Sequence, residues 1–152
     1  MMLRVLLLTG LVLAATPQAA FADTAPFFAG KKLYASDWRA CVGFENAEAP
    51  DDTYTLDQTG IYGYEFSCVF ANMSLVPDLT GQGRQNNYVA TASCSDDSGI
   101  SRPDMLNLSH YEETVTVTSQ NDYNYDLLQP SQDGEGVPFG LVNKSFELCQ
   151  PE

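Results

Sequence analysis

Four cysteines, at positions 41, 68, 94 and 149, constrain this chain of 152 residues more than any other feature. Their meaning depends on the compartment, and the N-terminus speaks to that. Met1–Arg4 carries one positive charge, Val5–Ala15 is an apolar run, Pro17 breaks it, and Ala20-Phe21-Ala22 follows. A basic start, a short apolar stretch and a small-x-small site are the parts of a secretory signal peptide. The run of 11 residues falls short of the roughly 20 that a membrane span needs. We therefore expect a cleaved signal peptide over residues 1–22 and a single β domain over residues 23–152. That domain is expected in the periplasm or outside the cell, soluble and with no membrane anchor.

All four cysteines lie beyond the expected cleavage point. An even number in an exported chain reads as two disulfides. Zinc is not expected. The cysteine spacings of 27, 26 and 55 contain no C-x-x-C pair, and His110 is the only imidazole.

Strand signals dominate the mature region. Thr53–Leu56 alternates, and Asp57–Gly60 fits a short hairpin connection. Ile61–Phe70 reads as one strand with Tyr64, Phe66, Cys68 and Phe70 on a single face. Asn72–Asn87 is rich in Gly and Pro and reads as a loop. Tyr88–Ser95 places Tyr88, Ala90, Ala92 and Cys94 together, and Ser95–Pro103 is a turn-rich break. Leu106, Leu108 and His110 share a side, and Glu113–Ser119 is a β-branched strand with Val115 and Val117 in phase. Asn121-Asp122 reads as a turn, after which Tyr123, Tyr125 and Leu127 alternate; Gln129–Gly140 is a second loop, and Ser145–Cys149 closes the chain. Phe27–Trp38 is ambiguous between strand and helix. Seven or eight short strands joined by short turns predict an all-β domain, a small antiparallel barrel or sandwich stapled by disulfides. Strand phase pairs Cys68 with Cys94 and leaves Cys41 for Cys149, although four cysteines allow three pairings.

The chemistry-bearing residues are sparse. His110 has Ser109 and Glu112 nearby, but strand neighbours point to opposite faces, and no G-x-S-x-G elbow exists. Asp51-Asp52, Asp96-Asp97 and Glu112-Glu113 are adjacent acids on turns, which is not the cross-cleft pair that a glycosidase needs. Ser95–Gly99 and Asp133-Gly134-Glu135 carry oxygen ligands without matching a calcium loop. No catalytic, cofactor-binding or metal-ligating residue is expected. Tyr62, Tyr64, Tyr123 and Tyr125 are the candidate binding surface, with Tyr62 and Tyr64 on one face by parity. Trp38, three residues before Cys41, is expected to pack over the disulfide. Sequons at Asn72, Asn107 and Asn143 matter only in a host that glycosylates exported chains.

Charge narrows the partners. There are 20 acids and 7 bases, a net charge of -13 and a pI near 4.1. Removing residues 1–22 takes away Arg4 and no acid, so the mature domain is more acidic still. Such a surface repels phosphate, so no nucleic-acid partner is expected. It suits a cationic protein or peptide, and it also suits solubility in a salty medium.

The order Trp38…Cys41, Gly60-Ile61-Tyr62-Gly63-Tyr64-Glu65-x-x-Cys68, Thr91-Ala92-Ser93-Cys94 and Phe146-x-x-Cys149 resembles small uncharacterised exported proteins of Gram-negative bacteria. That resemblance implies a fold and brings no functional residues with it. Size, export and disulfide use also resemble the periplasmic inhibitors of c-type lysozyme, which implies a small barrel that binds a basic enzyme. Their tyrosine stands two residues before a cysteine, whereas Tyr64 is four before Cys68. Their serine-glycine loop runs on to a tyrosine, whereas Ser98-Gly99 runs on to Ile100-Ser101-Arg102. The functional expectation is a non-enzymatic binding module. The alternatives are a lysozyme-inhibitor-like protein and a small hydrolase using loop carboxylates.

Overall fold

The computed structural model describes residues 26–42, 52–77, 85–128 and 140–150. The expected signal peptide, the loop acids Asp133 and Glu135, and Asp51 lie outside them.

Eight antiparallel strands close into a barrel, each paired with its neighbours in sequence. They are β1 (Tyr34–Ala35), β2 (Thr55–Asp57), β3 (Gly60–Tyr62), β4 (Ser67–Val76), β5 (Asn86–Ser95), β6 (Ser101–Tyr111), β7 (Thr114–Ser119) and β8 (Lys144–Leu148). One helix, α1 (Gln120–Leu128), follows β7, and 3₁₀ turns span Pro26–Phe28 and Trp38–Val42. Both expected disulfides form, Cys68–Cys94 and Cys41–Cys149.

The inward rows follow the two-residue period of a strand. β5 turns Tyr88, Ala90, Ala92 and Cys94 inward, β6 Leu106 and Leu108, β7 Val115 and Val117, and β8 Phe146. The alanines of β5 sit where Leu106 and Asp104 of β6 lie directly opposite, so small and large residues alternate across the interior. Cys68 and Cys94 are register partners in the β4–β5 ladder, so the first disulfide crosses that hairpin inside the core. The second staples the seam. β1 contributes only two residue pairs to β8, Tyr34 with Leu148 and Ala35 with Glu147. The Cys149 N–H extends that pairing by donating to the Leu33 carbonyl at 2.9 Å, and the bond to Cys41 follows.

Three departures from the sequence reading have local causes. Ile61–Phe70 is a hairpin, not one strand: Tyr62 pairs with Ser67, and the Gly63 N–H donates to the Phe66 carbonyl to close the turn. The strand then runs on through Asn72–Val76, where a loop was expected. A bulge between Phe70 and Asn72 inserts Ala71 and shifts the inward set from Cys68 and Phe70 to Met73. A pattern counted strictly in twos loses phase at such a bulge. Finally, Gln120–Leu128 is a helix where Tyr123, Tyr125 and Leu127 read as alternating. Ser119 is its N-cap, its hydroxyl accepting the Asp122 N–H at 3.0 Å. The Ser-x-x-acid spacing of a capping box was present in the sequence and outweighs the alternation.

The hairpin β2–β3 matches its expectation. The Asp57 carboxylate accepts the Thr59 and Gly60 N–H groups at 2.7 and 3.2 Å, an Asx turn. Gly60 is required there, because a Cβ would stand 2.2 Å from the Cys68 carbonyl oxygen.

Candidate functional site

The described strands from Ser67 to Ser119 carry few charges: Arg102 and the buried Asp104 are the ionic side chains, and His110 is the one imidazole. The described acids therefore gather at turns and ends. Two surface clefts are built where those acids meet aromatic side chains.

The larger, about 660 Å³, lies beside the barrel seam. Trp38, Val42, Leu148 and the Cys41–Cys149 disulfide line it, together with Asp37, Glu113 and Glu147. Local chemistry positions Trp38. Asp37 precedes the 3₁₀ turn and accepts the Arg39 N–H at 2.9 Å and two guanidinium contacts at 2.8 and 2.6 Å. Hydrogen bonds from the Arg39 guanidinium, and then from the Arg39 backbone N–H, lower the Asp37 carboxyl pKa to about 2. The Ala40 N–H bonds the Asp37 carbonyl at 3.0 Å, and Ala40 is buried. In a 3₁₀ turn, residues three apart are eclipsed, so Trp38 and Cys41 share a side. With Ala40 inward, that side faces out. The expectation that Trp38 covers the disulfide is thus corrected: it lines the same groove as Cys41 and Cys149 but stays 74% exposed.

The groove carboxylates come from the β6–β7 turn and from β8. Glu147 pairs in register with Thr114, and the Leu148 N–H donates to the Glu113 carbonyl at 2.9 Å. Among the described residues the ion pairs are Arg39–Asp37 and Lys144–Asp52, so neither Glu113 nor Glu147 has a basic partner there. Beside the groove, Tyr34 has its pKa raised, by burial first and then by the charge of Glu113.

The second cleft, about 400 Å³, lies between the β3–β4 and β5–β6 turns. Tyr62, Tyr64, Glu65, Asp96 and Asp97 line it. Ser67 and Ser95 hydroxyls, 3.1 Å apart, join the two hairpins beneath it. Tyr62 and Tyr64 do meet in one cleft, but not by strand parity, since β3 ends at Tyr62 and Tyr64 stands in the turn, 73% exposed. Tyr123 and Tyr125 belong to neither cleft. On α1, residues two apart face different directions, so Tyr123 is exposed while Tyr125 is half-buried.

Other candidates are absorbed by structure. Asp96 accepts the Ser98 N–H and hydroxyl, and the hydroxyl contact is the main reason its pKa is lowered. Among the described residues no three His, Cys, Asp or Glu side chains are grouped to hold a metal. His110 is half-buried on β6, and burial lowers its pKa, as does Lys32, against an opposing hydrogen bond with the Glu112 backbone. Asp104 and Asp122 are buried and serve the end of the barrel: Asp122 accepts the Leu141 N–H at 2.8 Å and Asp104 the Asn121 N–H at 3.2 Å.

Reading the sequence alone missed Trp38 as a surface residue, and Glu113 and Glu147 as its neighbours. A signal existed for the first. Asp37-Trp38-Arg39 brackets an aromatic with opposite charges just before a cysteine. The meeting of Glu113 with Glu147 depends on the β7–β8 register, which no local pattern encodes. Comparison with protein families, curated proteins and solved structures finds no match to the chain.

Proposed function

We propose that this protein is an exported, non-enzymatic binding module of the periplasm or cell exterior, and that its partner is a cationic protein or peptide. The observation that carries this reading is that both clefts set exposed aromatic side chains among carboxylates. Aromatic residues supply contact area at interfaces, while acids steer a basic partner toward it. The two disulfides suit an oxidising compartment outside the cytoplasm.

Affinity capture from envelope extract tests this. Immobilised protein is expected to retain basic partners at low salt and to release them at moderate salt, because screening shortens to about 10 Å near 0.1 M and about 3 Å near 1 M. A c-type lysozyme belongs in the same assay as a defined basic probe. Capture of acidic or neutral partners that resist salt would overturn the reading.

A further inference from the structure

We propose that the seam groove receives an arginine side chain of a basic polypeptide, stacked on the Trp38 indole and held by Glu113 and Glu147. This names the site for the cationic reading above and rests on it.

Trp38 is the first ground. An aromatic of this kind has on the order of 150–250 Å² to bury, yet it stands 74% exposed. Its backbone is nonetheless fixed on both sides. The Asp37–Arg39 clip holds it from one side, and Ala40 and the Cys41–Cys149 bond hold it from the other. A pinned backbone removes the cost of ordering the main chain on binding and leaves only the side-chain freedom of the indole to be lost, and tryptophan leads the residue types that dominate interface energies.

Charge complementarity decides the occupant. Glu113 and Glu147 lie on one groove with no basic partner among the described residues, while Asp37 is already engaged by Arg39. A guanidinium answers both features. It stacks on an indole face and forks onto carboxylates, and its aliphatic stem suits a floor of Val42, Leu148 and the disulfide. The volume of about 660 Å³ accommodates a peptide segment instead of a single ion. The segment that follows Val42 in sequence is a poor occupant by charge: residues 43–51 contain Glu45, Glu48 and Asp51 and no Lys or Arg.

Trp38 is the only tryptophan, so its fluorescence reports on the groove alone. The full disulfide-bonded chain is titrated with a blocked tetra-arginine peptide at low salt, with tetra-glutamine as the control. Tetra-arginine is expected to change Trp38 emission saturably, and tetra-glutamine to leave it unchanged. By calorimetry, Trp38→Ala and the double variant Glu113→Gln/Glu147→Gln are each expected to weaken binding about tenfold or more. Asp133→Asn/Glu135→Gln removes the same number of charges at residues assigned to neither cleft and is expected to weaken binding by less than about threefold. Equal weakening by both double variants would overturn the proposal, because overall charge alone would then explain binding. So would calorimetric binding that leaves Trp38 emission unchanged, although the cationic reading would survive that result. Conversely, if envelope capture yields no basic partner while tetra-arginine still changes Trp38 emission, the wider reading fails and takes the basic polypeptide partner with it, and only the affinity of the groove for arginine is left.

Discussion

The Ser119 hydroxyl donates a 2.6 Å hydrogen bond to Asp104 Oδ2 where both side chains are buried. The two residues end the inward rows of β7 and β6, and the same hydroxyl accepts the Asp122 N–H that begins α1. One oxygen thus ties two strands to the helix beside them. Ser119→Ala removes an N-cap worth about 1 kcal/mol and takes a donor from a buried carboxylate, about 1–3 kcal/mol more. A loss of about 2–4 kcal/mol is expected in urea unfolding, and an unchanged midpoint would contradict it.

Gly60→Ala acts at the opposite side of the core. The new Cβ would meet the Cys68 carbonyl oxygen at 2.2 Å, and backbone cannot rotate aside as a side-chain tip can. We expect a loss near the upper end of overpacking costs, about 3 kcal/mol. Wild-type stability in this variant would show that β3 and β4 separate more easily than the register of Gly60 with Val69 implies.

Replacing Cys41 and Cys149 by alanine frees a connection 108 residues apart in sequence. Chain entropy puts the loss at about 5 kcal/mol, against about 3.5 for the Cys68–Cys94 pair. The seam depends on two residue pairs, so the change is expected to alter Trp38 emission below the unfolding transition. Emission identical to that of the oxidised protein until global unfolding would show that the 3₁₀ turn holds Trp38 without the bond.

Stability is expected to rise with pH just below neutrality. Burial lowers the His110 pKa from its ordinary 6.5, so the unfolded chain binds a proton that the folded chain refuses. The contribution is complete above 6.5 and is lost as pH falls from there toward the lowered folded-state value. His110 is the only histidine, so His110→Gln should flatten the slope of unfolding free energy just below pH 6.5. Parallel slopes in the two proteins would exclude His110 as the cause.

Glu112 begins the two-residue turn between Tyr111 and Thr114 with φ of 54°. Positive φ at the first position is the turn pattern that favours glycine. Relief of about 1–2 kcal/mol of left-handed strain exceeds the entropy that glycine gives up, about 0.5–1 kcal/mol. Glu112→Gly is therefore expected to raise the melting temperature slightly, and a clear fall would count against a relaxed turn.

The strands most legible in the sequence are those whose alternation is unbroken. Tyr88–Cys94 and Val115–Val117 turn inward as their spacing implies, because one buried face forces a period of two. Legibility ended where one residue or one hydroxyl changed the local rule: Ala71 by entering as a bulge, Ser119 by capping a helix. For the candidate sites, Tyr62 and Tyr64 were found through residue type, but Tyr123 and Tyr125 were grouped by a strand period that the helix does not have.

The four cysteines show where the division lies. Their even number, and the strand phase that sets Cys68 against Cys94, are properties of the chain itself, since covalent chemistry and side-chain alternation are local. So is the acidity. The meeting of Cys41 with Cys149 inside an exposed groove, with Trp38 held outward and Glu113 and Glu147 gathered beside it, belongs to the tertiary structure. Residues about a hundred positions apart become neighbours only when β1 closes on β8. No periodicity records that closure, because its energy comes from burying the whole interior at once.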